Sequence, residues 1–255
     1  MGLKYKIIAD MHTHTLASTH AYSTLAEMAQ AAWEKGLYAM AFTDHAPAMP
    51  GAPGEWFFSS LHQLPLYIKG VKAVMGVEAN VMDFDGTLDI DRGPRKTEFK
   101  DLDWVIASIH GIEGVDLKNP DIEKSTNLWL NIAKNPKVNV IGHSGSPLFE
   151  YDYDRVIPEF GRNHKLVEIN AHTFDVRAAN APYCKRIAEA CKKHGVPIVV
   201  NSDAHFITEV GYFDKALHML EEIDFPPELI VNGSVERLNE YLSAHTDIER
   251  NRSAS

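Results

Sequence analysis

Short apolar runs recur along this 255-residue chain, and nearly every one is followed by a stretch of helical periodicity. Strands are expected over 5–10, 38–43, 71–81, 104–109, 138–141, 166–169 and 197–200. These runs are apolar nearly throughout rather than alternating, the pattern of strands covered on both faces. Helices are expected from Leu25 to Gly36, capped by Ser23-Thr24, and over 59–69, 122–133, 153–163, 181–194 (closed by Gly195), 213–223 and 235–242. Such alternation calls for parallel strands joined by crossover helices. About seven units fit, so the expected fold is α/β, a distorted (βα)7 barrel rather than a regular eight-fold one. An open doubly wound sheet is the alternative, but it would gather ligands only at its switch point. No linker divides the chain. One domain is expected over 1–242, followed by a polar tail over 243–255.

A barrel brings the carboxyl ends of its strands to one mouth, and there the chain places its metal-binding residue types. His12, His14 and His20 follow the first strand and His45 the second. Glu78 lies in the third, while His110 and His143 follow the fourth and fifth. Asp203 and His205 follow the seventh. Alternate residues of an extended segment project to one side, so His12 and His14 suit a single ion. Asp10 shares their parity and is expected to accept a ring N–H; Asp44, beside His45, is a second candidate for such support. Glu78 sits in an apolar strand, where an unpaired carboxylate is costly. Its two oxygens can bridge two cations. Each motif alone has an ordinary explanation as a polar strand end or helix cap. Their shared placement carries the inference of a multinuclear metal hydrolase. The other six histidines, His62, His164, His172, His194, His218 and His245, are assigned to helix ends, surface or tail, with His172 also a candidate for the pocket.

Composition sets the bounds. A net charge of −10 argues against nucleic acid as a general partner. No apolar run reaches about 18 residues, so no transmembrane helix is expected, and the N-terminus lacks a signal-peptide pattern. Cys184 and Cys191 lie two turns apart on one helix, roughly 10 Å, too far for a disulfide. Reduced buried thiols fit a cytoplasmic location.

The segments His12-Thr13-His14, Thr43-Asp44-His45, Gly76-Val77-Glu78-Ala79-Asn80, Ser108-Ile109-His110, Gly142-His143 and Ser202-Asp203-Ala204-His205 resemble the PHP (polymerase and histidinol phosphatase) superfamily. The run from His14 to Thr24 and Asp224-Phe225-Pro226-Pro227-Glu228 resemble its YcdX-type phosphatase branch. The likeness runs from about Ile8 to about Leu242. It implies a distorted (βα)7 barrel with three divalent ions, usually zinc. One would be held by His12, His14, Glu78 and Asp203, a second by His20, His45 and His205, and a third by Glu78, His110 and His143. Ser144 stands where many relatives have proline, which bears on loop shape more than on the metal.

The expected chemistry is hydrolysis of a small anionic phosphate ester by a metal-bridging hydroxide, with neighbouring ions stabilising the developing charge. Three cations outweigh two carboxylates, so the pocket would attract an anion within an acidic protein. Arg177 is a candidate phosphate clamp. The aromatic loop Trp56-Phe57-Phe58 is a candidate cover for the mouth. His/Asp/Glu donors admit Mn or Fe as well as Zn. Three other readings are an amidohydrolase, a nuclease or polymerase-associated domain, and a non-catalytic metal-binding regulator. A homo-oligomer is left open.

Overall fold

The computed structural model describes residues 4–92 and 96–249. Seven parallel strands run β1 (Ala9–Asp10), β2 (Ala39–Phe42), β4 (Val71–Asn80), β5 (Trp104–Ser108), β6 (Val140–Ile141), β7 (Leu166–Asn170) and β8 (Ile198–Asn201), in that spatial order. An eighth, β3 (Tyr67–Ile68), lies antiparallel against the start of β4. Between the parallel strands run α1 (Leu25–Glu34), α2 (Glu55–Ser60), α3 (Ile122–Lys134), α4 (Tyr153–Arg162), α5 (Thr173–Val176) and α6 (Ala181–His194). After β8 come α7 (Asp214–Glu222) and α8 (Val235–His245).

The parallel strands are buried on both faces, and alternate residues serve two cores. Val74, Trp104, Ile106, Leu166 and Val199 pack together inside the ring, with Leu238 and Leu242 of α8 beneath them. Residues of opposite parity, such as Met75, Val105, Val167 and Ile198, pack against the outer helices. Gly76 shares the inner parity, and a Cβ there would stand 2.4 Å from the Trp104 carbonyl oxygen. The same parity turns Glu78 on β4 and Glu168 on β7 inward, above the apolar layer. Sequence alternation therefore fixes which carboxylates face the axis.

Closure between β8 and β1 uses two devices. Near the mouth, the Asp203 N–H donates to the His12 carbonyl (3.0 Å) and the His14 N–H to the Ala204 carbonyl (2.8 Å). Lower down, buried Asn232 takes the place of a strand. Its side-chain amide donates to the Ala9 and Val200 carbonyls and accepts from the Val200 N–H, while its backbone carbonyl accepts from the Ile8 N–H. Nothing in the periodicity of the sequence marks this role.

Three expectations need correction. The helix expected over 59–69 is instead α2, a 3-10 turn at Leu61–Gln63, and β3. Lys69 and Gly70 both have positive φ (54° and 84°), forming a two-residue hairpin turn that pairs Ile68 with Val71. The last helix continues past Leu242 to His245, and Ile248 is buried, so the tail does not begin at Ser243. The Asn139 side-chain amide donates to the His245 carbonyl, a long-range contact that holds this end. The first strand spans only Ala9–Asp10, because the Ile8 N–H is taken by Asn232. Cys184 and Cys191 are free and buried, as expected.

Candidate metal centre

His12, His110, His143 and Asp203 each stand two residues beyond the end of a strand, and His45 stands three beyond β2. Uniform overhang puts these side chains at one level above the inner core. His143 and Asp203 have positive φ (21° and 59°), uncommon for residues with a Cβ. His14 and His205 follow two residues on. His20 arrives on a loop tied down by Asp44, whose carboxylate accepts from the Thr15 N–H, the Thr15 hydroxyl and the Ser18 hydroxyl, each at 2.7 Å.

All nine candidate donors meet. Glu78 Oε1 lies 3.0 Å from His143 Nε2, 3.3 Å from His110 Nε2 and 3.4 Å from His12 Nε2. Its Oε2 lies 2.8 Å from His45 Nδ1 and 3.5 Å from His14 Nε2. Asp203 Oδ1 is 3.1 Å from His14 Nε2 and 3.4 Å from His12 Nε2. At the rim, His20 Nε2 faces His45 Nε2 (3.3 Å) and His205 Nε2 (3.0 Å).

The residues fit divalent cations. The ring nitrogens of His12 and His14 face each other at 3.2 Å. Two donors on one tetrahedral ion, each at about 2.0–2.1 Å, stand roughly 3.3 Å apart. Asp203 Oδ1 and His45 Nδ1 are buried without a hydrogen-bond partner, since the His45 contact to Glu78 is close but misaligned. Buried polar atoms left so are costly, and cations would satisfy both. Donor atoms cluster as His12, His14 and Glu78; as His45, Glu78 and His110; and as His14, His45 and His205.

Protonation favours cation binding at most of these positions. Burial would raise Glu78, but His110, His12 and His45 outweigh it and hold the carboxyl well below its usual range. Burial would also raise Asp203, yet His12 and His14 hold it well below. Burial, with His45 and His205, keeps the His14 ring well below the ordinary imidazole value. His12 is the exception. Burial works to lower it, but Glu168, Asp203 and Glu78 together raise it well above. A cation arriving at His12 Nε2 must therefore displace a proton.

Glu168 escaped the sequence reading. Its Oε1 accepts from His12 Nδ1 (2.7 Å) and the Asn201 amide (2.8 Å), and its Oε2 accepts from the His143 N–H (2.8 Å). It thereby sets the orientation of one candidate ligand and the backbone of another. Like Glu78, it is an acid within an apolar strand, which was the available signal. Asn80 Oδ1 lies 2.7 Å from His110 Nδ1 and does the same for that ring. Asp10 does not touch a ring. Its carboxylate accepts from the Ser202 N–H and hydroxyl and from the Gly211 N–H, fixing the turn that presents Asp203. Burial, only partly offset by Ser202, raises its pKa to about 6.

A cavity of about 350 Å³ opens above the cluster and includes His172, Val176, Arg177 and Met49 in its walls. Arg177 Nη1 lies 3.2 Å from His143 Nδ1. Ser144 keeps the adjoining loop in place through its hydroxyl, 3.0 Å from the Tyr151 hydroxyl. The Trp56-Phe57-Phe58 segment lines no part of this cavity. Phe58 is buried against Phe99, and Trp56 is exposed in α2.

Residues 10–176 match the family described as PHP domain, and 182–213 match the one described as PHP-associated. The chain is 43% identical over 237 residues to a probable phosphatase of Acetivibrio thermocellus, covering 93% of this chain and 95% of that protein. It is 41% identical over 241 residues to a probable phosphatase of Caldanaerobacter subterraneus, covering 94% and 92%. Among solved structures, the fold is similar to histidinol phosphate phosphatase from Lactococcus lactis, complexed with zinc, L-histidinol and phosphate. The TM-score is 0.58, at 18% identity, over 87% of this chain and 93% of that one. It is also similar to a chain of archaeal ribonuclease P with mature tRNA, with a TM-score of 0.60 at 12% identity over 94% and 92%. At those identities the likeness speaks to the barrel alone. No helix among the described residues is long and apolar enough to cross a membrane. With about two thirds of its length matched by the family and relatives above 40% identity aligned over more than nine tenths of it, the chain belongs to the PHP domain family.

Proposed function

We propose that this protein is a metal-dependent phosphatase that hydrolyses a small phosphate ester with three divalent ions, zinc in the first instance. The carrying observation is Glu78, a buried carboxylate with ring nitrogens gathered around both of its oxygens. Such an arrangement would let one carboxylate be shared between ions. His12, His14, Glu78 and Asp203 would hold one ion, His20, His45 and His205 a second, and Glu78, His110 and His143 a third. The relatives named probable phosphatases support the reaction. The similarly folded Lactococcus lactis protein is complexed with zinc, L-histidinol and phosphate, which is in keeping with zinc and a phosphate ester here.

Bound divalent ions would supply an activated water at neutral pH and neutralise charge on the phosphoryl oxygens. The chain's own residues do the rest. Glu168 and Asn80 orient the rings of His12 and His110. Arg177, at the wall of the cavity, carries a guanidinium suited to two phosphate oxygens at once. Covalent catalysis by thiol finds no support: Cys184 and Cys191 are buried, and burial pushes Cys184 up to about 12. Among the described residues no lysine lines the cavity, as a carbamylated-lysine amidohydrolase would require.

The test is a panel of phosphomonoesters offered to metal-loaded protein and to His45→Ala. Wild-type protein should release phosphate, while the variant should keep its far-ultraviolet dichroism and lose turnover. Full activity in His45→Ala, or no ester hydrolysed by wild type, would overturn the proposal.

A further inference from the structure

We propose that the organic part of the ester lies in a second, apolar cavity beside the metal centre. This cavity selects uncharged, ring-sized leaving groups over cationic ones. The inference rests on the phosphatase reading above and names its substrate class. The cavity measures about 310 Å³ and shares His110, His143 and Arg177 with the metal cavity. An ester with its phosphoryl group at the metal centre can therefore pass its organic part across that common wall.

Chemistry distinguishes the two spaces. The metal cavity contains Glu78 and Asp203. Ile109, Leu148, Phe149 and the Trp129 ring make the apolar walls of the second, and its remaining polar groups, Ser144, Ser146, Asn180 and the Trp129 indole N–H, are neutral. No carboxylate lines it among the described residues, and Arg177 brings a positive charge. A cationic leaving group would give up its hydration there without a counter-charge. A neutral aromatic ring would meet apolar surface on several sides. Histidinol phosphate, which carries an amine, fits this wall poorly. Leu148 is 63% exposed at the lip, on the loop between β6 and α4. A change there alters the cavity without entering the core.

The experiment uses an isosteric pair, 4-ethylphenyl phosphate and 4-(aminomethyl)phenyl phosphate, together with the matching non-hydrolysable phosphonates. Calorimetry on metal-loaded protein gives phosphonate affinities, and phosphate release gives kcat/KM for the esters. The neutral member should win by at least about tenfold in both, the scale on which a pocket separates close analogues. Leu148→Asp should narrow the ratio by a similar factor. Equal affinities in wild type, or a ratio unmoved by Leu148→Asp, would overturn the assignment. Two further outcomes separate the readings. Phosphonate selectivity without ester turnover supports the cavity and refutes the phosphatase reading. Turnover without selectivity refutes the cavity alone.

Discussion

Replacing Glu168 with Gln tests how far the candidate metal centre depends on a residue outside the proposed ligand sets. The carboxylate accepts from four donors: His12 Nδ1 at 2.7 Å and the Asn201 amide at 2.8 Å on one oxygen, the His143 N–H at 2.8 Å and the Asn170 amide at 3.3 Å on the other. A glutamine offers one oxygen and one NH2. Either orientation sets its NH2 against donors, leaving His12 or His143 without an acceptor. An unsatisfied buried group of this kind costs about 1–3 kcal/mol. Loss of an orienting partner behind a ligand typically lowers metal affinity or activity by about 10–100-fold. The two figures agree, since a tenfold change is about 1.4 kcal/mol. Metal affinity should be read by competition with a chromophoric chelator, and turnover on the best ester of the panel. The expected result is a 10–100-fold loss of affinity with the fold retained. Wild-type affinity in Glu168→Gln would refute the claim that this carboxylate positions the site.

Other expectations concern proton release, barrel closure and a close approach near the cluster. The raised pKa of His12 implies that metal-free protein carries a proton there at pH 7, so loading should release it and affinity should rise with pH. In metal-free protein the same shift contributes stability that is fully present below about pH 6.5 and is lost as pH climbs through the raised value. Calorimetry of zinc binding in buffers of different ionisation enthalpy should show buffer-dependent heats; identical heats would count against a proton on His12. Asn232→Ala removes two donors and an acceptor between β1 and β8 and should cost about 3 kcal/mol or more by denaturant titration. A loss under 1 kcal/mol would show that the barrel closes without it. At Gly142 a Cβ would fall 2.1 Å from Ser108 Oγ and 2.7 Å from Ile106 Cγ2, so Gly142→Ala should displace His143 and weaken metal binding measurably. Unchanged affinity there would mean that the strand end yields freely.

Strand ends were legible because two signals coincide at each: an apolar run that must be buried, then a residue whose donor atom has no use in an apolar core. His12, His110, His143 and Asp203 share one offset from their strands, and the seven-unit count followed from the same runs. Glu168 was missed although it satisfies the criterion that singled out Glu78. It lies in the middle of β7, whereas most of the donor pattern falls past strand ends. Asp10 was placed correctly beside the site but given the wrong partner, because parity says which side a residue faces and not which group reaches it first. The hairpin at Lys69-Gly70 was read through as helix, and tertiary contacts extended α8 past its expected end. Asn232 and the positive φ at Asp203 go with closure of the ring, and the positive φ at His143 with a bond from its N–H to Glu168 on the neighbouring strand; no local pattern encodes either.

If a shared cluster of cations drives ester hydrolysis, turnover must follow metal occupancy. Stripping the protein with a chelator and then titrating zinc back, while following bound metal and phosphate release together, tests it most directly. Phosphate release should be absent at zero equivalents, rise with added ion and level off near three per chain. Turnover by stripped protein, or saturation at a single ion, would contradict it.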